Sequence, residues 1–318
     1  MKKILLAVLL LLQCTLLHAA YPEHPIQIVV PYSAGGIADI LARRIAEELT
    51  GSLKTSVVVV NKPGAEAIIG TQTVVNSKPD GYTLLFTPNT PLSINPLMVK
   101  NLPYDPNKDL EILSVLAESP IVIVARPQLK VSTLRQLASV ARTKQGGLNY
   151  SSVSVGGVLT LPMRKIQNEL GFEMTPIPYP GAGQAMNAVL AGDVDVSINA
   201  LGTALPYILS GKVNAVAVGT DVRLKEAPQV ETISETIPGF RSSIWYSLSA
   251  PTGLHPQTRA TLTKAFADLR NSKALQAAAV RDYLVVPPPR TPAQLKAFLE
   301  EDQRRWQKVI DDNHISAK

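Results

Sequence analysis

Of 318 residues, 46% are hydrophobic, 18% charged and 5% aromatic, and the formal net charge is +6. This balance excludes a disordered chain, and scattered basic residues with few aromatics exclude a nucleic-acid surface built from a basic stripe and stacking rings. The length fits two domains, and a mild positive field favours small anions arriving by diffusion.

The chain opens on an export leader. Lys2 and Lys3 make a positive n-region, Ile4 to Leu12 is an unbroken apolar run, and His18-Ala19-Ala20 supplies small residues for cleavage. Residues 1–20 therefore read as a cleaved signal peptide, whose loss lowers the net charge by two to +4. Lipidation at Cys14 is the alternative, disfavoured because Gln13 is large for the preceding position. Cys14 is the only cysteine, so the mature chain has no disulfide, metal thiolate or thiol nucleophile. No mature segment is apolar for long enough to span a membrane, and a periplasmic protein is expected.

Short apolar runs follow, separated by helical segments. IQIVV (26–30), SVVVV (56–60), YTLLF (82–86), EILSV (111–115) and IVIVA (121–125) read as buried strands, and their β-branched character predicts parallel pairing covered on both faces. After the first strand, PYSAGG leads into a helix with Ile37, Ile40, Leu41, Ile45 and Leu49 on its apolar face. A second α/β set begins after Arg126-Pro127. Ser132 is a suitable N-cap for the next helix, then come LNYSS (148–152), a helix over 161–170, PIPYPGAGQ (176–184), a helix over 185–190, and strands VDVSI (194–198) and VNAVAVG (213–219). WYSLSAP (245–251) leads back, and Thr291-Pro292-Ala293-Gln294 opens a long last helix with a capping box. The fold class is α/β, as two doubly wound lobes with a cleft at their joint.

Catalytic patterns are absent from this inventory. The histidines (His18, His24, His255, His314) are dispersed, no zinc spacing, phosphate loop or GxSxG elbow occurs, and Ser151 to Ser154 have no nearby base. The turns carry more information. Gly35-Gly36, Gly156-Gly157 and Gly181-Ala182-Gly183 each precede a helix, where unpaired N–H groups and the dipole suit an anion. Each of these glycines also has a plain reading as a helix start, and Asp39 one as a first-turn acid that complements the dipole. Trp245 and Tyr246 serve either as core or as a stacking platform.

Taken in order, VPYSAGGIADILAR, VVNKPGAEAIIG, PDGYTLLF, INPLMVKNLPYDPNKDL, LNYSSVSVGG, PIPYPGAGQAMNAVLAGDVDV, ALPYILSGKVNAVAV, LSAPTG and RRWQKVI resemble the Bug-type periplasmic substrate-binding proteins of tripartite tricarboxylate transporters. The resemblance covers nearly the whole mature chain. It implies a type II-like periplasmic-binding-protein fold closing over a small carboxylate, with no cofactor, no metal and no catalysis. Lobe 1 is expected over 21–123 with 249–318 and lobe 2 over 124–248. The implied ligand-binding residues are Tyr32, Ser33, Ala34, Gly35, Gly36 and Asp39, then Thr87 and Asn89, in the first lobe. In the second they are Ser152, Ser154, Val155, Gly156, Gly157, Thr160, Pro180, Gly181, Ala182 and Asn199. The chain departs from the family pattern at Ser33 and Ala34 (commonly prolines), at Glu66 and Ala67 (commonly glycines), at Thr160 (often histidine) and at Asn199-Ala200 (commonly Asp-Asn). The implied partners are membrane permease subunits, with the protein a monomer. Presentation of the ligand to a sensor kinase and an exported hydrolase are the alternatives.

Overall fold

The computed structural model describes residues 21–153, 157–179, 181–240, 242–313 and 315. The expected leader (1–20) and the expected site residues Ser154, Val155, Gly156 and Pro180 lie outside the described residues.

The elements run β1 (Ile26–Val30), α1 (Ile37–Leu53), β2 (Val57–Asn61), α2 (Ile68–Val75), β3 (Thr83–Pro88), two single-turn helices α3 (Asn95–Met98) and α4 (Pro106–Asp109), and β4 (Leu110–Ala125). Then come α5 (Leu134–Thr143), β5 (Leu148–Ser152), α6 (Thr160–Leu170), β6 (Met174–Pro178), α7 (Ala182–Ala191), β7 (Val196–Ala200), α8 (Leu201–Leu209) and β8 (Asn214–Val218). The chain ends with α9 (Ile233–Thr236), β9 (Ser243–Pro251), α10 (Pro256–Arg270), α11 (Lys273–Arg281) and α12 (Pro292–Asp312).

β1 is buried on both faces except at half-buried Gln27, as its Ile and Val residues require, and pairs in parallel with β2 and β3. The stripe of α1 is shifted from the expected one. Ala38, Leu41, Ala42, Ile45, Ala46 and Leu49 are buried, whereas Ile40 is 39% exposed. Small alanines let α1 sit close to the sheet, so its contact face follows them and not the larger Ile40.

The expectation of separate strands at 111–115 and 121–125 gives way to one strand, β4, of 16 residues. Its first part pairs antiparallel with β9, up to Pro120 opposite Ser243, and its second part lies between β7 and β8. Pro120 has no N–H to donate, and it stands where β4 changes partners, which is where a proline does least damage to a ladder. The sheet order is β2-β1-β3-β9-β4-β7-β5-β6, with β8 also on β4. The two α/β halves therefore share β4, and the sheet is mixed, not purely parallel, because β4, β8 and β9 run against their neighbours.

Local signals decide the helix ends. Thr291 and Gln294 form the capping box of α12, with Pro292 in its first turn. At α5 the N-cap is Thr133, one residue beyond the expected Ser132, whose N–H and hydroxyl both donate to Gln136 Oε1. Trp245 and Tyr246 are each 1% exposed, and the indole N–H of Trp245 donates to Asp302 of α12 at 2.9 Å.

Candidate functional site

The turn after β1 begins with half-buried Tyr32 and continues through exposed Ser33, Ala34, Gly35 and Gly36. Gly35 has φ +83°, a left-handed conformation that favours glycine, whereas Gly36 is extended and N-caps α1 without a side-chain bond. Asp39 fastens the turn from inside α1. Its carboxylate accepts from the Gly35 N–H (2.9 Å), from Arg43 (3.0 Å) and from Asn61 Nδ2 (2.9 Å), and the same Asn61 amide donates to Tyr32 O (3.1 Å). Burial on its own would raise the Asp39 carboxyl, but these donors outweigh it and hold the group below the usual carboxylate range. The Gly35 N–H is thus engaged within the turn.

Next to this turn, β3 ends in a buried polar cluster. Thr87 and Asn89 are fully buried, and neither the Thr87 hydroxyl nor either polar atom of the Asn89 amide has a partner in the protein. Ser93, in the π-helical turn Thr90–Ile94, and Ser247 of β9 are also buried with unpartnered hydroxyls. Ser247 stands opposite Thr87 in the β3–β9 register. Tyr32 faces the hydroxyls of Thr90 and Thr87, and burial pushes its phenol above the ordinary tyrosine range. Tyr246, shifted upward by burial and by its neighbour Tyr32, lies against the same group. At neutral pH none of these side chains carries a charge. Buried hydroxyls and amides without partners cost roughly 1–3 kcal/mol each, so such a concentration marks a place built to bond something.

The second half presents hydroxyls and an amide that are already engaged. Ser152 Oγ meets Thr160 Oγ1 at 2.9 Å, and both residues are buried. Ser151 Oγ donates to Ala185 O (2.7 Å) and meets Ser197 Oγ at 2.9 Å. Asn199 Nδ2 donates to Ala182 O (3.0 Å) while its Oδ1 accepts from the Ala200 N–H (3.0 Å), which ties the start of α7 to the end of β7. Gly157 is buried and its carbonyl accepts from the Thr160 N–H, whereas Gly181, half-buried, N-caps α7 with no side-chain bond.

Strand register relates the two groups. Tyr246, beside the first, is opposite Ala117 of β4, and Asn199, in the second, is opposite Val122. At ~3.4 Å per residue the two clusters address β4 at points roughly 17 Å apart, with Ser242, whose buried hydroxyl is also unpartnered, entering β9 between them. Ser93, Ser242, Ser247 and Asn61 were not among the residues expected from sequence. The available signal was the run of serines in SSIWYSLSAP, where serines at 247 and 249 interrupt an otherwise apolar strand.

Chemically, the arrangement donates and accepts hydrogen bonds. His24 is exposed and stacks on Tyr82, and His255 N-caps α10, so neither reaches the serines of the second half. Among the described residues no group of His, Cys, Asp and Glu could hold a metal ion, and no helix is long and apolar enough to cross a membrane.

Comparison with known proteins agrees with this geometry. The model of the tripartite tricarboxylate transporter family receptor matches residues 41–315. Protein BugT of Bordetella pertussis is 32% identical over 300 residues, covering 94% of this chain and 92% of its own. Among solved structures, the periplasmic binding protein BugD superposes with a TM-score of 0.84 at 29% identity, over 94% of this chain and 100% of its own. The MatC protein of Rhodopseudomonas palustris with bound malate superposes with a TM-score of 0.83 at 28% identity, over 91% of this chain and 100% of its own. The chain therefore belongs to the tripartite tricarboxylate transporter receptor family, as a Bug-type periplasmic solute-binding protein with the two-lobe α/β fold.

Proposed function

We propose that this protein captures a small carboxylate between its lobes and delivers it to the membrane subunits of a tripartite tricarboxylate-type transporter. The observation that carries this reading is the set of buried, neutral, unpartnered groups at Thr87, Asn89, Ser93 and Ser247. A carboxylate offers up to four lone-pair directions and takes hydrogen bonds from neutral donors more strongly than a neutral acceptor does. Malate bound to the related MatC protein supports the ligand class.

In this reading lobe 1 comprises 21–123 with 249–318, lobe 2 comprises 124–248, and the mature protein acts as a monomer in the periplasm after its leader is removed. Tyr32, Thr87, Asn89 and Ser93 of lobe 1, with Ser247 of the connecting strand β9 opposite Thr87, hold one end of the ligand. Ser152, Gly157, Thr160, the start of α7 at Gly181-Ala182, and Asn199 hold the other. Closure needs only that the ligand bonds to the closed arrangement better than to the open one, so binding without turnover is the whole task.

The test is a thermal melt of the leaderless protein against C4 to C6 dicarboxylates, citrate, acidic amino acids and aromatic acids. A ligand at one hundred times its dissociation constant adds about 2.7 kcal/mol, which raises the melting temperature by several degrees. Stabilisation confined to one carboxylate class is the expected result. No shift with any acid, from protein stripped of bound ligand by unfolding and refolding, would overturn the proposal.

A further inference from the structure

A second group of unpartnered polar atoms lies against β4, and it is charged. Arg270, the last residue of α10, is only 7% exposed. Its Nη1 donates to Val115 O (2.8 Å) and contacts Ser114 Oγ (3.4 Å), but its buried Nη2 has no partner. Arg290, in the segment before α12, also has a buried, unpartnered Nη1. Its Nη2 lies 3.6 Å from Glu118 Oε1, and the guanidinium packs 4.3 Å from the Phe298 ring centroid. Both arginines line one small pocket, with Leu113, Phe266, Pro288 and Pro289 as apolar walls.

Burial, and after it the charge of Arg290, press the Arg270 guanidinium below its ordinary range, yet arginine does not shed its proton in proteins. Among the described residues no carboxylate pairs with Arg270, and Glu118 meets Arg290 only loosely. Water can accept from the free N–H groups, but it cannot neutralise the positive charge on Arg270 that the Arg290–Glu118 pair leaves unmatched beside an apolar wall. A guanidinium fork matches the paired oxygens of an oxyanion, and two forks lining one small pocket are a donor set suited to a tetrahedral ion.

We propose that this pocket is a second anion site, separate from the carboxylate cleft, in which Arg270 Nη2 and Arg290 Nη1 hold a small oxyanion of the size of phosphate or sulfate. The proposal is independent of the function proposed for the cleft.

The experiment is titration of the leaderless protein with inorganic phosphate, followed by ³¹P line broadening and calorimetry at constant ionic strength. Wild-type protein is expected to bind one phosphate saturably, with sulfate competing. Arg290→Gln should weaken binding at least tenfold, Arg290→Lys should recover part of it, and Asn89→Ala in the cleft should leave it unchanged. Arg290 is the residue to vary because Arg270 also supports β4, and the Lys variant remains informative if the Gln variant does not fold. Absence of saturable binding, equal affinity in Arg290→Gln, or loss of binding in Asn89→Ala would each overturn the site.

Discussion

The two strand–turn–helix units look alike in sequence and are held by different forces. IVVPYSAGGIADI is fastened by a charge: Asp39 gathers the Gly35 N–H, Arg43 and Asn61 at the root of an exposed turn. In LNYSS and the following α6, neutral pairs do the fastening, through Ser152 with Thr160 and Ser151 with Ser197. The unsatisfied groups are distributed just as unevenly. Around the first unit Thr87, Asn89, Ser93 and Ser247 lack protein partners, whereas the serine and threonine hydroxyls of the second bond to one another or to backbone and only its Tyr150 phenol is left without a partner among the described residues. Similar turns therefore need not contribute in the same way. In the proposed function the groups around the first turn recognise with side chains, and the second unit offers a pre-set surface of hydroxyls and helix starts.

The contrast can be broken most severely at Gly70 of α2, below the first turn. An added Cβ there would stand 2.6 Å from Lys62 O and 2.7 Å from Pro31 Cβ, both parts of the frame that carries the turn. Gly70→Ala should cost about 3 kcal/mol, read as a melting temperature several degrees lower.

The charge lock comes next. Because the folded Asp39 carboxyl is held below its unfolded value, its contribution is fully present above about pH 4, the unfolded carboxylate range, and fades as pH falls through the lower folded value. Asp39→Asn should therefore lower stability by about 2 kcal/mol at pH 7 and flatten the fall in melting temperature between pH 5 and pH 3. An unaltered acid limb would mean that the ion pair does not fasten the turn.

Removing the hydroxyl pair of the second unit should cost less. Thr160→Val is expected to lose about 1 kcal/mol by chemical denaturation, the value of one neutral hydrogen bond, with no change in the acid limb. The smallest effect is a gain. Ala65, Glu66 and Ala67 have φ of 46°, 52° and 73°, three successive left-handed residues without glycine. Glu66→Gly should stabilise by about 0.5–1 kcal/mol, since glycine carries no Cβ penalty there.

Much of the fold was legible because its signals are local. β1 is a short run in which four of five residues are buried Ile or Val, and α12 is opened by a capping box that four adjacent residues spell out. β4 was not, because Glu118-Ser119-Pro120 reads as a break until β7, β8 and β9 arrive to pair with it. The site divides along the same line. PYSAGG identifies itself as a turn, but that Asp39 takes up the Gly35 N–H depends on a side chain folding back four residues. Ser247 joins Thr87 only through antiparallel pairing across 160 residues of chain, and no local pattern encodes that meeting.

In the proposed function, the unpartnered neutral groups at the end of β3 and on β9 recognise a carboxylate. The measurement that addresses this recognition most directly is calorimetric titration of wild-type and Asn89→Ala protein with whichever dicarboxylate of the C4 to C6 series stabilises the wild type. Asn89 has two buried, unpartnered atoms, so its truncation should leave the melting temperature of the ligand-free protein unchanged or higher. Affinity should fall by about 10- to 100-fold, the equivalent of one or two hydrogen bonds to a charged group. Equal affinity in the two proteins would contradict the account and move recognition to another part of the molecule.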